Sequence, residues 1–439
     1  MKTIKLLIIL ILISIQTNLY SLDKTNYYSY GNELDATTIT ILNKSKDSLI
    51  IKVPVRVLFD ILSFEESYSD DKKSIYTAYL ELELVSTDNG GIIRNRSQIK
   101  DTVFTTNYES TNSKSLYHET YFDITLAKND YNLVLNLYTQ KNKKSLNLKV
   151  KDINSESSFI SESIIMYRDN AQKNLYNLSP YIIKNSALFD NNIISILCYL
   201  NNPESQYLYT IEYLTDSKNT SIYSYWESNK ILIDGKAELL KNKELVFKNE
   251  FSKSTFDLKN GIDNYLKITL PFERIIPGEY KLVIKSENDV EQTIYFQVEW
   301  ESKSLALDNI DYAINKMYYI LTDEELEYIN EGSSSDKEKK LMEYWKKLDP
   351  TPSTPFNESM FQYFDRVDFA FFNFSTLAEK DGAETDRGKI FILNGAPDKI
   401  ADKNIDGKPG IVWEYKNLKK KYYFKSVSSG IFKLIKIEE

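Results

Sequence analysis

Four carboxylates crowd one short stretch of the chain. Asp381, Glu384 and Asp386 lie within a single loop-like run, and Asp398 follows soon after. Paired carboxyl groups are what glycoside hydrolysis needs, one serving as acid and the other as base or nucleophile. Oxygen-rich clusters of this kind also hold Ca²⁺ or Mg²⁺. The spacing matches no ordered cation loop, and acidic residues in turns are usually just hydrated. The expectation is therefore no metal, no cofactor and no catalytic residue, with glycan chemistry at this carboxylate loop kept as the alternative.

A forked cation sits among these acids. Of the 55 basic residues only seven are Arg, and one of them, Arg387, stands between Asp386 and Gly388. Arg suits bidentate pairing with a carboxylate where Lys does not. The expected role is a structural lock, with Arg387 paired to Glu358 or Asp398. Arg366, in the aromatic segment just before, is the second candidate. Six of the 13 glycines (Gly382, Gly388, Gly395, Gly407, Gly410 and Gly430) fall in the last part of the chain. Gly395-Ala396-Pro397-Asp398 reads as a turn, because Gly supplies unusual φ and Pro fixes its own. Gly388 is expected to allow a sharp entry into a strand.

Composition removes other chemistries. A single His (His118) and a single Cys (Cys198) are expected to be strand filler. Their scarcity is read as removing His-dependent triads, His/Cys zinc sites and intramolecular disulfides. The net charge of −8 opposes a nucleic-acid footprint. No phosphate-binding loop, nucleotide fingerprint or nucleophile elbow is present. At the N-terminus, Lys2 and Lys5 precede a short apolar run, Leu6 to Ile15, and Asn18-Leu19-Tyr20-Ser21 offers cleavage after Ser21. A signal peptide over 1–21, export to the periplasm or the extracellular space, and no membrane span in the mature chain are expected. An uncleaved anchor is the alternative.

The elements that must position the loop follow from periodicity. Alternating strands are expected over Thr37–Leu42, Leu49–Leu58, Ser74–Leu84, His118–Leu126, Asn132–Tyr138 and Ser145–Val150, with a hairpin at Asp88-Asn89-Gly90-Gly91. An internal echo aligns Ala127–Leu135 with Ile276–Ile284, placing Tyr131 on Tyr280 and Asn129 on Gly278. The two Tyr are expected to plug the ends of two sandwich cores, and Asn129 and Gly278 to take left-handed turns. Residues 151–185 read as the connection between the sandwiches.

After about residue 301 the period becomes 3.6, with Ile310, Ala313, Ile314, Met317, Ile320 and Leu321 on one stripe. Capping boxes are expected at Thr322/Glu325 and Ser335/Glu338, and a cap at Thr354 before Pro355. The aromatic helix through Met360, Phe361, Phe364, Val367 and Phe371 then gives way to short strands at Lys389–Leu393, Ile411–Tyr415, Lys421–Lys425 and Ile431–Ile435. The fold class is multidomain and mainly β: two antiparallel, Ig-like β-sandwich domains (22–165 and 166–300, the second including the linker), then an α+β domain over 301–439 with helices first and a small antiparallel sheet after.

These residues carry a resemblance. Asp349-Pro350-Thr351-Pro352, Asn357-Glu358, Tyr363 and Arg366-Val367 lead to Gly382-Ala383-Glu384-Thr385-Asp386-Arg387-Gly388; Gly395-Ala396-Pro397-Asp398 and Trp413-Glu414-Tyr415 follow. Together they resemble the GWxTD-domain proteins, which are exported bacterial proteins with β-sandwich regions ahead of a C-terminal module. The likeness is specific over 305–439 and architectural before it. The Trp of the motif is Ala383 here. The Gly-x-Pro-Asp turn followed by a Trp-x-Tyr strand also looks like small modules of outer-membrane assembly lipoproteins. The resemblance implies a compartment and an architecture rather than a reaction. The site residues it marks are Arg366, Gly382, Thr385, Asp386, Arg387, Gly388, Gly395, Pro397, Asp398 and Trp413, with Glu358, Tyr131 and Tyr280 structural. The expected function is a non-enzymatic contact module whose partner is another envelope or secreted protein, with a glycan as the alternative ligand.

Overall fold

The computed structural model describes residues 32–439 except 44, 46, 69–73, 107–108, 114–115, 153–158, 170–174, 184, 191, 202, 215–230, 251, 301–302 and 429. The expected leader and its cleavage point lie outside the described residues. Two compact units emerge. The described residues up to Trp300, with Ser353–Phe356, form one; Lys303–Pro352 and Asn357–Glu439 form the other. Among the described residues no helix is long and apolar enough to cross a membrane.

The first unit is built from strands, many of which alternate between buried and more exposed residues. In its first half, β1 (Leu34–Ala36), β2 (Ile39–Leu42), β3 (Ser48–Leu58), β4 (Glu65–Tyr68), β5 (Ser74–Asp88), β6 (Ile93–Thr105), β7 (Tyr117–Ala127), β8 (Tyr131–Thr139) and β9 (Lys143–Val150) make two sheets. In one, β3 pairs with β1, β2 and β7; in the other the order is β4-β5-β8-β9, with β6 also on β5. All of these pairs are antiparallel. The expected hairpin joins β5 to β6, where Asp88 Oδ1 accepts from the amides of Gly90 and Ile92 and Gly91 takes φ 77°.

The second half holds β10 (Ile160–Asp169), β11 (Ser179–Pro180), β12 (Ser186–Leu188), β13 (Ile193–Leu200), β14 (Tyr207–Leu214), β15 (Leu232–Lys236), β16 (Glu238–Glu250), β17 (Lys253–Asn260), β18 (Asp263–Thr269), β19 (Gly278–Ser286) and β20 (Glu291–Glu299). Their sheets run β11-β10-β13-β18-β16-β17 and β12-β20-β19-β14-β15. Only β12 and β20 pair in parallel among these described strands. The stretch 151–185, expected as a connection, therefore contributes β10 and the edge strand β11. Its Asn and Ser residues obscured the apolar run Ile164-Ile165-Met166-Tyr167, which is buried.

The echo has a physical basis. Tyr131 and Tyr280 are both buried at the start of a strand, and each hydroxyl donates to the carbonyl four residues back, Ala127 in one case and Ile276 in the other, both at 2.7 Å. The hydroxyl ties the incoming loop to the strand while the ring fills the core. The turns before them differ from expectation. Gly278 has φ 145° and packs so closely on the Tyr213 ring that no Cβ would fit, whereas Asn129 has no positive φ. What the echo shares is the Tyr anchor, not the turn.

His118 sits where the two halves meet. It is buried on β7, with Nδ1 3.1 Å from Ser252 Oγ in the β16–β17 turn and Nε2 3.1 Å from Asp101 Oδ2 on β6, the latter a close but poorly aligned contact. One His suffices to stand between an Asp and a Ser, so counting His residues did not exclude the arrangement. Around it Ser254 N donates to Glu119, Asn249 donates to Thr120, and Tyr121 donates to the Phe247 carbonyl. Burial depresses the His118 pKa from 6.5 against the opposing pull of Asp101. A depressed folded-state value stabilises the fold above the unfolded value and loses that stabilisation as pH falls. Thermal melts from about pH 7.5 to about pH 5 should therefore drop more steeply for wild type than for His118→Gln; parallel curves would contradict this.

Candidate functional site

The second unit starts with the expected stripe. Helix α1 (Ile310–Lys316) is capped by Asn309, whose side chain accepts from Tyr312 N, and a 3₁₀ turn (Met317–Tyr319) extends it. Helix α2 (Asp323–Asn330) begins with the expected Thr322/Glu325 capping box. Helix α3 (Ser334–Lys346) begins two residues earlier than expected, because Ser333 and Asp336 form its capping box immediately after Gly332 at φ 102°. The aromatic helix α4 (Glu358–Asn373) is capped by Asn357 rather than Thr354. Asn357 Oδ1 accepts from Met360 N while its Nδ2 donates to the Trp345 carbonyl, so one side chain starts α4 and fastens it to α3. Buried Asp368 on α4 accepts from the amides of Leu305 and Ala306, and burial raises its pKa.

The loop itself is a 3₁₀ turn (Gly382–Glu384) running into helix α5 (Asp386–Asn394). Lys389–Leu393, expected as a strand, is therefore helical. The run Ile390-Phe391-Ile392 suits either structure by apolarity alone, and the cap decides. Thr385 Oγ1 accepts from Gly388 N at 3.0 Å and donates to the Gly382 carbonyl at 2.7 Å. One hydroxyl thus closes the turn and opens the helix. Gly388 is not a strand entry but a close approach. A Cβ there would overlap the Gly382 carbonyl oxygen and lie 3.0 Å from Ala383 Cα. A Cβ on Gly382 would overlap the Ala370 carbonyl oxygen and lie 2.5 Å from Ser375 N. The turn is wedged between the end of α4 and the start of α5.

Beyond α5, β21 (Lys399–Ile405), β22 (Lys408–Tyr415), β23 (Lys420–Ser428) and β24 (Ile431–Glu438) form an antiparallel meander. Asp386 Oδ2 accepts from Leu434 N on β24 at 2.7 Å, binding the loop to one edge of this sheet. Gly395, at φ 74°, ends α5, and its carbonyl accepts from Tyr415 OH at 2.8 Å. Arg366, 8 % exposed, reaches the last turn of α5, with Nη1 3.4 Å from the Ile392 carbonyl. Pro397 leads the chain into Asp398, whose amide donates to the Glu414 carbonyl and whose carboxylate accepts from Lys416 N. Trp413 is buried against Phe374 and Phe424.

The expected carboxylate lock on Arg387 is absent. Glu358 is taken by Thr351 Oγ1 and Asp398 by the β22–β23 turn. The Arg387 guanidinium instead lies between two rings, 5.2 Å from the Phe374 centroid and 4.7 Å from that of Phe432. A guanidinium stacks on aromatic faces where an ammonium would keep its hydration shell. Burial lowers its pKa, opposed by the charge of Glu379.

Sequence reasoning missed Lys316. It is 2 % exposed on the inner face of α1, and its Nζ meets Asp381 Oδ2 at 2.7 Å and Glu384 Oε1 at 2.6 Å. Its carbonyl accepts from Tyr363 OH, and Tyr319 OH donates to the Ala383 carbonyl. The available signal was a Lys three residues after Ala313 and next to Met317, on the apolar stripe. Three of the four loop carboxylates are thus held by Lys316 or by a backbone amide at Leu434, and the fourth, Asp398, by the amide of Lys416. Among the described residues no group of three His, Cys, Asp or Glu side chains could hold a metal ion. Cys198 is fully buried, and burial pushes its thiol up to about 12, far from a nucleophile's range.

Glycines without room for a Cβ, a capping Thr and an Asp bound to a sheet edge give the loop a defined pattern. Residues 280–432 match the family model of the GWxTD domain. The C-terminal part of the chain carries this domain, and the match begins at Tyr280 within β19, upstream of where the motif likeness starts, so it takes in most of β19 and all of β20. No curated protein matches the chain. In this GWxTD domain the motif's Gly is the wedged Gly382, its Thr the cap Thr385 and its Asp the edge-binding Asp386. The Trp position is Ala383, fully buried at 0 % exposure, so its side chain is packed inside the domain rather than presented to a ligand.

The wedge predicts an order of costs. Gly388→Ala should destabilise the domain by about 3 kcal/mol through overpacking, against about 1 kcal/mol for Gly407→Ala, which has a positive φ but open space around it. Denaturant unfolding measures both; equal costs would remove the close-approach explanation. Thr385→Ala should cost about 1–2 kcal/mol and Thr385→Ser much less, because Ser keeps the shared hydroxyl.

Proposed function

We propose that the chain is an exported, non-enzymatic protein of the envelope or extracellular space, whose β-sandwiches carry the GWxTD domain as a module for contact with another protein. The observation that carries this reading is the state of the loop. Asp381 and Glu384 are both ion-paired to the one buried ammonium of Lys316, and Asp386 and Asp398 accept from backbone amides. Carboxylates committed to internal partners suit a scaffold, whereas a glycosidase needs two that face each other across an open groove. Export is supported by the basic and apolar pattern at residues 2–21.

Two measurements test the reading. Fractionation with N-terminal sequencing should find the protein outside the cytoplasm and starting after Ser21; a cytoplasmic chain would refute export. In-cell cross-linking and pull-down of the tagged protein should recover one reproducible protein partner, with Arg387→Lys beside wild type and thermal stability checked for both. Recovery of no protein partner together with binding on a glycan array would favour the glycan reading instead.

A further inference from the structure

The terminal sheet has two edges, and they are treated differently. On β24 the motif's Asp386 occupies the Leu434 amide and α5 packs alongside. On β21, by contrast, every residue from Lys399 to Asn404 is exposed, and Ile400 is 59 % exposed opposite buried Trp413. Alternate residues of an unpaired edge turn their N–H and C=O groups outward, ready for another strand.

The charges on this edge discriminate between partners. Ile400, Asp402 and Asn404 share the inner face with Trp413, while Lys399, Ala401 and Lys403 share the outer face with Tyr423, over whose ring Lys403 Nζ lies at 5.0 Å. Cross-strand neighbours point to the same face, so two copies meeting edge to edge about a two-fold axis pair residues of equal parity. Centred on Ile400, such a pairing sets Asp398 against Asp402; on Ala401, Lys399 against Lys403; on Asp402 or Lys403, each against itself; on Asn404, Asp402 against Asp406. Each of these registers, centred on residues 400–404, opposes like charges, which is destabilising. Self-association through this edge is disfavoured by its own sequence.

We infer that β21 receives an antiparallel strand from a different protein, one that presents acid-base-any-apolar-acid in sequence. The two acids face Lys403 and Lys399 on the outer side, the base faces Asp402 and the apolar residue covers Ile400 on the inner side. The antiparallel sense continues that of the whole meander. Main-chain hydrogen bonds supply affinity in such additions and the alternating side chains supply selectivity. This inference rests on the protein-contact reading and names where and with what chemistry the contact is made.

The probe is a displayed library of random short peptides, selected on the full chain and on Lys399→Glu/Lys403→Glu. Both changed residues are exposed, and equal thermal melts confirm that the variant folds. Peptides enriched by wild type should carry two acids four positions apart with a base next to the first, and should bind the variant about tenfold more weakly. Photo-cross-linking of the enriched peptides should map to 399–405. No enrichment, enrichment without that pattern, or binding indifferent to the charge reversal would overturn the inference. A wild-type dimer in sedimentation that the reversal dissolves would overturn it in favour of a second copy. If the pull-down partner of the preceding section binds the variant as well as wild type, the edge is refuted while the contact reading stands.

Discussion

The GWxTD domain depends on backbone touching backbone. Gly382 lies against the carbonyl of Ala370 and Gly388 against the carbonyl of Gly382, with no space at either place for a methyl group. Packing of this closeness lets the Thr385 hydroxyl span turn and helix, and puts Asp386 within reach of the Leu434 amide. It also fixes the turn on which Asp381 and Glu384 converge on Lys316. Helices, loop and sheet are joined through this wedge, so a change at its centre propagates to all three.

Much of this was legible in the residues, and the failures have physical causes. The meander's later strands, the Thr322/Glu325 box and the paired Tyr131 and Tyr280 were visible because local chemistry and tertiary packing agree there. Lys389–Leu393 was misread because an apolar run of that length satisfies either period, and the Thr385-to-Gly388 capping distance was not weighed against it. β21 was missed although Asp406-Gly407, at φ 50° and 76°, is a hairpin signal; its exposed, polar residues gave no burial pattern. Arg387 was read as a fork for carboxylates, but its partners are rings. A sequence shows that a fork is present, not what lies on either side of it.

The β unit repeats an arrangement without repeating its details. β8–β9 beside β5 and β19–β20 beside β14 are corresponding triplets, each opening on a Tyr whose hydroxyl reaches back four residues. One apolar cluster then runs from Val55 and Leu84 in the first half to Phe247 and Tyr265 in the second. With His118, Glu119 and Thr120 bonded into the β16–β17 hairpin, the halves share both core and polar contacts. Halves joined in this way move as one body rather than as two independently mobile domains.

Lys316 has a consequence for how the molecule can be observed. Its ammonium is enclosed by two carboxylates and by the Tyr312 ring at 4.6 Å, and among the described residues no other lysine is buried. An amine-directed reagent used sparingly would mark exposed lysines and leave this one untouched until α1 parts from the loop. The protein therefore carries an internal clock for the opening of its own domain, readable one lysine at a time by mass.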